Sequence, residues 1–535
     1  MKPQKENREV EEKEKETNLV ERNPKMSKKM IVLLWIAILV VQAIVCIYFG
    51  TQKEYFHMDE MYSYGLMNAD EINITDRSDF LNQWHDKQYY LDYLEVNQEE
   101  VWDFSPVWEN QVNDVHPPLY YLLLRISATF SIDHFTKWTG LFLNLVIFAI
   151  SNYFIYQIGK KLTKSPIYAL LICLINGFTI IVLESFLYIR MYALCNLMVL
   201  ILVKVHLDLN EKQELHTKDI LLLVISLVLG GLTHYYYFIF ALGIYLVYTK
   251  KKIAEKAWKN LAYYQLGIVI AGLLYLTIFP FSIDHILWGE RGVSAQNGTN
   301  LAFQIGSYLI LINQNFFNNL TIAFLIVLYL LYHADKKKVE KIAEMEFIWF
   351  PILLYLCIVI LQAPYVEIRY IIPIASCFNI WVVILVKNYL EASYSKKKAF
   401  WITVCCFTIL LISPLFTQTK LSFTYQQHHQ IATRIEEKGL PIVYLWNPGH
   451  NRFLDDLYLF TKVDQSIIID ATQDIETIQE MLSDIQTDYI LMYNEGIEEE
   501  TLETCIPENN EYIQKMNACD ILLVRQESEI EKESK

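Results

Sequence analysis

The sequence predicts an all-α, polytopic membrane protein with a small extracytoplasmic α/β domain at its C-terminal end. Three observations predict this fold class. Hydrophobic residues make up 53% of the 535 residues, the mean hydropathy is +0.22, and apolar runs of about 20 residues, the length that an α-helix needs to cross the hydrocarbon layer, recur along the chain. The composition therefore excludes a purely soluble enzyme, a disordered scaffold and a disulfide-stapled secreted domain.

The N-terminal end predicts a tail followed by a membrane anchor. Residues 1–29 mix Lys and Glu with almost no apolar side chains, which is typical of a disordered segment. The run Met30–Gly50 has full spanning length and lacks a clear small-residue cleavage site. It is therefore predicted to be a retained first transmembrane helix rather than a signal peptide.

Basic connectors determine the predicted topology, because cytoplasmic loops of membrane proteins carry an excess of Lys and Arg. These connectors are Lys160–Lys164, Lys204–Lys218, Lys250–Lys259, Lys336–Lys341 and Lys387–Lys398. If they lie in the cytosol together with the N-terminus, the C-terminus lies outside and the chain has eleven spans within a transmembrane domain of residues 30–417. The predicted spans are 30–50, 136–159, 166–185, 189–205, 219–233, 235–249, 260–281, 318–333, 347–363, 369–387 and 399–417.

Two shorter apolar stretches, Leu119–Ser131 and Phe303–Gln314, are predicted to be juxtamembrane or interfacial helices on the outer face. Two larger polar segments face the same side, namely the first outer loop, residues 51–118, and residues 418–535. The second segment alternates helical stretches with four β-like runs, which predicts a small α/β domain. The runs are Pro441–Trp446, Ser466–Asp470, Tyr489–Tyr493 and Ile521–Val524.

Both polar segments are acidic. Thr51–Val115 contains 15 acidic and 3 basic residues, a net charge of −12, and Lys420–Lys535 contains 23 and 9, a net charge of −14, within a whole-chain charge of −15. Nucleic-acid binding needs a basic surface, so no nucleic-acid partner is expected. Two of the nine cysteines, Cys505 and Cys519, lie in the acidic tail, and whether they pair is left open. No Cys/His cluster has zinc spacing.

A pair of carboxylates, Asp59 and Glu60, follows the first predicted span. A carboxylate at a low-dielectric boundary has a tunable pKa and can accept a proton from a hydroxyl group. The structural alternative is that Asp59 caps a juxtamembrane helix.

Cations and aromatic residues gather at the predicted outer ends of the spans. His116 precedes two prolines where the outer loop returns to the membrane. Arg190 and Tyr192 follow Glu184, and a bland alternative is a Glu184–Arg190 ion pair. The remaining members of this group are His234, Tyr235, His285, Arg291 and Arg369.

Together these residue types suit one reaction. Arginine or histidine can bind the phosphate of a leaving group, a carboxylate can take the proton of an attacking hydroxyl, and aromatic rings can stack on sugars. The pattern predicts glycosyl transfer from a lipid-linked phosphosugar.

The order of the motifs resembles that of the GT-C class of integral-membrane glycosyltransferases. The motifs are Asp59-Glu60, His116-Pro117-Pro118-Leu119-Tyr120-Tyr121, Arg190-Met191-Tyr192 and His234-Tyr235-Tyr236. The chain is most similar to bacterial relatives of dolichyl-phosphate-mannose protein mannosyltransferases and to lipid A aminoarabinose transferases, over residues 30–390. The C-terminal domain has no such resemblance.

The resemblance implies a polyprenyl-phosphate donor of a hexose or pentose and a protein or glycan acceptor of the cell envelope. It makes Asp59 the general base, with Glu60 supporting the geometry of the acceptor or of the loop. Arg190, Arg291 and Arg369 would bind the donor phosphate. His116, Tyr192, His234 and Tyr235 would shape the site. No cofactor is expected, and no metal ion, because the cations fill the role of neutralising phosphate.

Two other functions remain open on the sequence alone. A transporter or flippase of lipid-linked sugars would use the same cavity without breaking a bond. A non-catalytic envelope assembly protein would use the acidic tail as a binding module.

Overall fold

The computed structural model describes residues 26–288, 301–333, 339, 342–363, 365–417, 421–449, 453–517 and 519–526. Helices dominate these residues. From the N-terminus to the last predicted span they are Lys28–Gln52, Met58–Asn68, Lys87–Leu94, Ser105–Asn113, Leu119–Ala128, Lys137–Thr163, Pro166–Gly177, Ile180–Leu187, Tyr192–Glu211, Thr217–Gly231, Tyr236–Ala254, Trp258–Ile278, Ser282–Leu287, Leu301–Phe317, Thr321–Tyr332, Glu346–Gln362, Ala375–Ser393 and Lys396–Thr417. The helices of the C-terminal segment are Gln426–Lys438, Phe453–Phe460, Ile475–Ser483 and Glu499–Cys505.

A multi-pass membrane protein is the architecture that these helices define. Within the described residues, six helices are long and apolar enough to cross a membrane, or seven if the pair Pro166–Gly177 and Ile180–Leu187, bent by 59°, forms one span. Each of the eleven predicted spans coincides with a helix or with this bent pair. The total of eleven and the orientation in the membrane stay predictions, as does the tail of residues 1–29, of which residues 1–25 lie outside the described residues.

Buried amide groups join the first helix to the bundle. Gln42 is completely buried although most of the helix Lys28–Gln52 presents apolar side chains to the outside. Its amide nitrogen donates to the carbonyl of Cys173 at 2.9 Å, and its oxygen accepts from the amide of Asn152 at 2.9 Å. In lipid, where apolar contact adds no hydrophobic drive between helices, such hydrogen bonds hold helices together.

The first outer loop is a compact helical layer. Its helix Met58–Asn68 begins with a capping box, in which the side chain of Glu60 accepts from the backbone N–H of His57 at 2.8 Å. The predicted juxtamembrane helix is present over Leu119–Ala128. It carries Arg125, which is fully buried and donates to the carbonyl of Glu100 at 2.5 Å.

A six-stranded sheet lies in the C-terminal part, in the order β1-β3-β2-β4-β6-β5. The strands are β1 (Trp84–Asp86), β2 (Ile442–Trp446), β3 (Gln465–Asp470), β4 (Tyr489–Asn494), β5 (Asn510–Met516) and β6 (Cys519–Val524). Strand β2 runs parallel to β3 and β4, and the other pairs are antiparallel. The four predicted strands are all present. Strand β1 comes from the first outer loop, so the sheet spans the predicted domain boundary.

Further contacts join the sheet domain to the outer loop. The hydroxyl of Tyr90 lies 2.7 Å from the hydroxyl of Ser466, and the hydroxyl of Tyr55 donates to the carbonyl of Asp455 at 3.2 Å. Cys505 and Cys519, whose pairing the sequence left open, are both free thiols. They belong to different hydrophobic clusters, which explains why they do not meet.

Candidate active site

The site is built around Asp59, which stands in the first turn of the helix Met58–Asn68. An acidic side chain is favoured there by the positive end of the helix dipole. The backbone N–H of Asp59 donates to Nδ1 of His57 at 3.1 Å, which fixes the start of the helix. The side chain is 17% exposed. The carboxylate is therefore held at the start of this helix and is mostly buried.

Two groups from distant parts of the chain and one neighbouring histidine surround the carboxylate. The hydroxyl of Tyr188 donates to Oδ2 of Asp59 at 2.6 Å, and Arg369 forms an ion pair with the same oxygen. Nδ1 of His57 lies 3.6 Å away. Burial alone would raise the pKa of Asp59, but the guanidinium groups of Arg190 and Arg369 outweigh it and hold that pKa below its ordinary value. Asp59 is therefore ionised at neutral pH.

Arg190 supplies a second guanidinium group beside Asp59. It is 3% exposed, donates from Nη1 to the hydroxyl of Ser63 at 3.2 Å, and lies 5.8 Å from the centre of the Tyr121 ring. Within the described residues, the buried Nε atoms of Arg190 and Arg369 have no hydrogen-bond partner. Unsatisfied buried donors of this kind are costly, and an anion placed between the two guanidinium groups would satisfy them.

Glu60 contacts groups other than those around the Asp59 carboxylate and stabilises the backbone next to Asp59. The side chain is fully buried. Its Oε1 accepts from the N–H of Ile189 and its Oε2 lies 2.8 Å from Nζ of Lys53, which is also buried. Lys53 in turn donates to the carbonyl of Phe423 at 2.9 Å. This geometry makes Glu60 a positioning residue that ties three chain segments together behind Asp59.

Removal of the Glu60 carboxylate is expected to destabilise the protein. In Glu60→Ala the Lys53 ammonium would stay buried without its partner, so the free energy of unfolding should fall by about 3–5 kcal/mol. Thermal unfolding in detergent would measure the loss. Lys515→Gln is the control, because it breaks an ion pair whose side chains are 47% and 59% exposed, and such pairs contribute about 0–1 kcal/mol. Equal stability of Glu60→Ala and Lys515→Gln would contradict the expectation.

A row of aromatic rings leads from Asp59 to the two histidines predicted from the sequence. Tyr188 stacks with Tyr192 at 5.8 Å between ring centres, Tyr192 lies 5.2 Å from His234, and His234 lies 6.0 Å from His116. Nδ1 of His116 lies 2.8 Å from a carboxylate oxygen of Asp114. Burial lowers the pKa of His234 well below its ordinary value. His234 is therefore neutral at pH 7.

Two further predicted site residues, Tyr235 and Arg291, belong neither to this row nor to the described surroundings of Asp59. Tyr235 forms a 2.8 Å hydrogen bond with Nδ1 of His285, whose Nε2 lies 2.9 Å from the carbonyl of Val112. These contacts join the helix Tyr236–Ala254 to the outer loop. Arg291 lies outside the described residues.

A polar cavity of about 430 Å³ opens on the His57 side of Asp59. It lies between the helices Leu301–Phe317 and Ile180–Leu187 and the segment that leads into the sheet domain. That segment is held by Glu184, whose carboxylate accepts from the N–H groups of Ser422 and Phe423, the latter at 3.1 Å. The Phe423 ring stacks on Tyr188 at 4.1 Å between centres. Phe423, in the segment that leads into the sheet domain, thereby helps to position Tyr188, whose hydroxyl donates to Asp59.

Loss of the Tyr188 hydroxyl is expected to impair the site without dismantling it. A hydrogen bond to a charged group contributes about 1.5–3 kcal/mol. Since this bond stabilises the ionised form of Asp59, Tyr188→Phe should raise the pKa of Asp59 and move the acid limb of kcat/KM to higher pH by about 1–2 pH units.

The pH profile of kcat/KM measures this effect. Tyr93→Phe is the matched control, since it loses a 2.7 Å hydrogen bond to the carbonyl of Ile72 elsewhere in the outer loop. An acid limb in Tyr188→Phe that coincides with that of the control would show that Tyr188 does not act through Asp59.

Carboxylates and imidazoles of the site do not form a metal-binding group. Among the residues that the structure describes, no set of three or more His, Cys, Asp and Glu side chains is placed to hold a metal ion. The positive charge beside Asp59 comes from Arg190 and Arg369. That the protein works without a metal ion stays a prediction.

No protein-family model and no curated protein matches the sequence. Solved structures do match. ArnT from Cupriavidus metallidurans bound to undecaprenyl phosphate is 8% identical with a TM-score of 0.51, over 93% of this chain and 98% of that chain. The apo state of the same protein is 10% identical with a TM-score of 0.49, over 91% and 97%. Archaeal oligosaccharyltransferase AglB from Archaeoglobus fulgidus, in complex with an inhibitory peptide and a dolichol-phosphate, is 9% identical with a TM-score of 0.43, over 86% and 69%.

The chain is therefore a multi-pass membrane protein whose fold is similar to that of GT-C glycosyltransferases of known structure. The resemblance predicted from the motifs is confirmed at the level of the fold: over nearly its full length the chain is similar to ArnT, a lipid A aminoarabinose transferase. The match covers more of the chain than residues 30–390, the range of the resemblance predicted from the sequence.

Proposed function

We propose that the protein is a membrane glycosyltransferase that moves a sugar from a polyprenyl-phosphate donor to an acceptor on the outer face of the cytoplasmic membrane. The observation that carries the proposal is the position of an ionised carboxylate, Asp59, beside two buried guanidinium groups with unsatisfied donors, Arg190 and Arg369. The shared fold with ArnT, described in complex with undecaprenyl phosphate, supports the same class of donor.

The two guanidinium groups suit a phosphate. A guanidinium group is planar, always charged, and can donate two parallel hydrogen bonds to phosphate oxygens. Arg190 and Arg369 are far apart in the sequence, and both act electrostatically on Asp59. The proposal assigns neutralisation of the leaving phosphate to these two residues rather than to a metal ion.

Asp59 would act as the general base. The acceptor hydroxyl gives its proton to the Asp59 carboxylate while its oxygen forms a bond to the anomeric carbon of the donor sugar. The bond between that carbon and the phosphate oxygen breaks, and the polyprenyl phosphate leaves with the electron pair. Proton transfer by a positioned side chain contributes typically 10²–10⁴-fold to rate.

The low pKa of Asp59 makes it a weak base, so its ion pair with Arg369 has to be broken before the reaction. A donor phosphate would compete with Asp59 for Arg369 and draw the guanidinium group away. Loss of that partner would raise the pKa of Asp59 towards its ordinary value. Binding of the donor would thus activate the base, and Asp59 would be inactive as a base until the donor is present.

Mass analysis of cell-envelope glycans tests the proposed activity. Cells that express the wild-type chain should carry glycans heavier by one hexose or pentose unit than cells that lack it. Identical glycan masses in the two strains, with the protein present in the membrane, would contradict the proposal.

A further inference from the structure

The polar cavity beside His57 contains side chains that no described contact uses. Gln314 and Glu367 line the cavity and are exposed. Neither side chain makes a hydrogen bond or an ion pair with another described residue. Asn319 and Asn315 lie next to them in the lining. Free amide and carboxylate groups inside a concave surface are typical of a site that binds a polar ligand.

The charge of the cavity disfavours an anion. Its described lining residues include Glu184 and Glu367 but no Lys or Arg. Burial lowers the pKa of His57, the remaining basic group, so it is neutral at pH 7. The two arginines proposed for phosphate binding are not among the lining residues. A phosphorylated ligand would therefore meet carboxylates here without a cation to pair with.

Aromatic rings complete the lining. Phe423 and Tyr425 contribute apolar ring surface next to the amide groups. Amides and carboxylates can bind several hydroxyl groups at once, and a ring can pack against the C–H face of a pyranose. This combination suits an uncharged, hydroxyl-rich molecule.

The cavity also reaches the base. His57 lines the cavity and lies 3.6 Å from Oδ2 of Asp59, and Phe423 of the same lining stacks on Tyr188, which binds Asp59. The histidine pair His116 and His234 is joined to Tyr188 through Tyr192 instead. The cavity and the aromatic row therefore adjoin Asp59 through different residues, His57 for the cavity and Tyr188 for the row.

We infer that this cavity binds the acceptor, and that the acceptor presents an uncharged saccharide. The inference rests on the proposed function, because it takes Asp59 as the base that receives the acceptor proton. It adds the chemical class of the acceptor, its place of binding, and Gln314 and Glu367 as residues that determine specificity.

Saturation-transfer NMR on the full chain in lipid nanodiscs tests the inference without donor or turnover. The probes are maltose and N,N′-diacetylchitobiose as neutral saccharides, and maltose 1-phosphate as the charged counterpart. Wild type should bind a neutral probe, and maltose 1-phosphate more weakly. Gln314→Ala/Glu367→Ala should raise the Kd of the neutral probe at least tenfold. Both positions are exposed, so the double variant should fold normally.

Controls separate this site from the donor site. Gln362→Ala/Glu498→Ala removes the same two residue types at exposed positions outside the cavity lining and should bind the probes like wild type. Binding of undecaprenyl phosphate, measured separately, should be the same in wild type and Gln314→Ala/Glu367→Ala. Tighter binding of maltose 1-phosphate than of maltose, unchanged saccharide binding in Gln314→Ala/Glu367→Ala, or equal loss of undecaprenyl phosphate binding would overturn the inference.

Failure of the proposed function gives a different result. In that case the cavity would still bind neutral saccharides with the same dependence on Gln314 and Glu367, while envelope glycans would be unchanged by the protein. Altered glycans without saccharide binding in this cavity would leave the transferase standing and overturn the inference alone.

Discussion

Asp59→Asn is expected to abolish sugar transfer, with a loss of about 10²–10⁴-fold in kcat. The asparagine amide has nearly the same shape as the carboxylate, and its oxygen can still accept from the Tyr188 hydroxyl, but it cannot take a proton from the acceptor. Transfer of radiolabelled sugar to isolated envelope material, with membranes that contain equal amounts of each variant, measures the loss.

Asp70→Asn provides the matched control. Asp70 is exposed and lies just beyond the end of the helix Met58–Asn68, whose first turn contains Asp59. The same chemical change there should therefore leave transfer unaffected. Thermal unfolding of Asp59→Asn should be recorded in parallel, because the substitution leaves Arg369 without its carboxylate partner. Full transfer activity in Asp59→Asn would remove Asp59 from the mechanism.

Arg369→Gln is expected to lower kcat/KM by about 10²–10³-fold, the effect typical of removing one donor that stabilises charge in a transition state. The substitution removes a guanidinium group proposed to bind the leaving phosphate. Arg369→Lys keeps the charge but loses the forked geometry, so it should recover only part of the activity. Steady-state kinetics with a polyprenyl-phosphate sugar measures both variants.

Arg77→Gln is the control for this experiment. Arg77 also lies over an aromatic ring, at 5.0 Å from the centre of Tyr89, against 5.4 Å for Arg369 and Tyr370. The proposed exchange of Arg369 between Asp59 and the donor phosphate predicts a difference between the pH profiles of kcat and kcat/KM. The acid limb of kcat, which reports the donor complex, should lie at higher pH than that of kcat/KM, which reports the free enzyme. Coincident limbs would argue against the exchange.

The membrane helices and most of the sheet could be predicted from the sequence because their signals are local. Long apolar runs determine spans, and short β-branched runs determine β2, β3, β4 and β6. The other two strands lack such signals. Strand β1 has three residues, and β5 is an edge strand whose residues are mostly exposed, so neither shows an apolar pattern. Their pairing depends on partners far along the chain.

The site could be predicted in part. Asp59, Arg190 and Arg369 could be predicted as members of one site because ionisable residues at a membrane boundary are rare. Residue type and spacing alone could not separate Asp59 from Glu60, and only the family resemblance gave them different roles. Adjacent residues on a helix point in different directions, and which of the two faces the site depends on how the helix packs. Tyr188 had one weak signal in the sequence, which is its position two residues before Arg190. Phe423 had none, because it reaches the site from the linker to the sheet domain.

The pairing of β1 with β3 determines how late in biosynthesis the sheet can form. Strand β1 ends at Asp86 and its partner begins at Gln465, so at about 5–20 residues per second the ribosome needs roughly 20–75 s to deliver the second strand after the first. Until Gln465 and the residues that follow it have been made, β1 lacks its partner strand. The Phe423 contact with Tyr188 cannot form before residue 423 has been translated, which is later than all of the predicted spans. A nascent chain that has reached only residue 417 therefore contains every predicted span without Phe423 or the partner of β1.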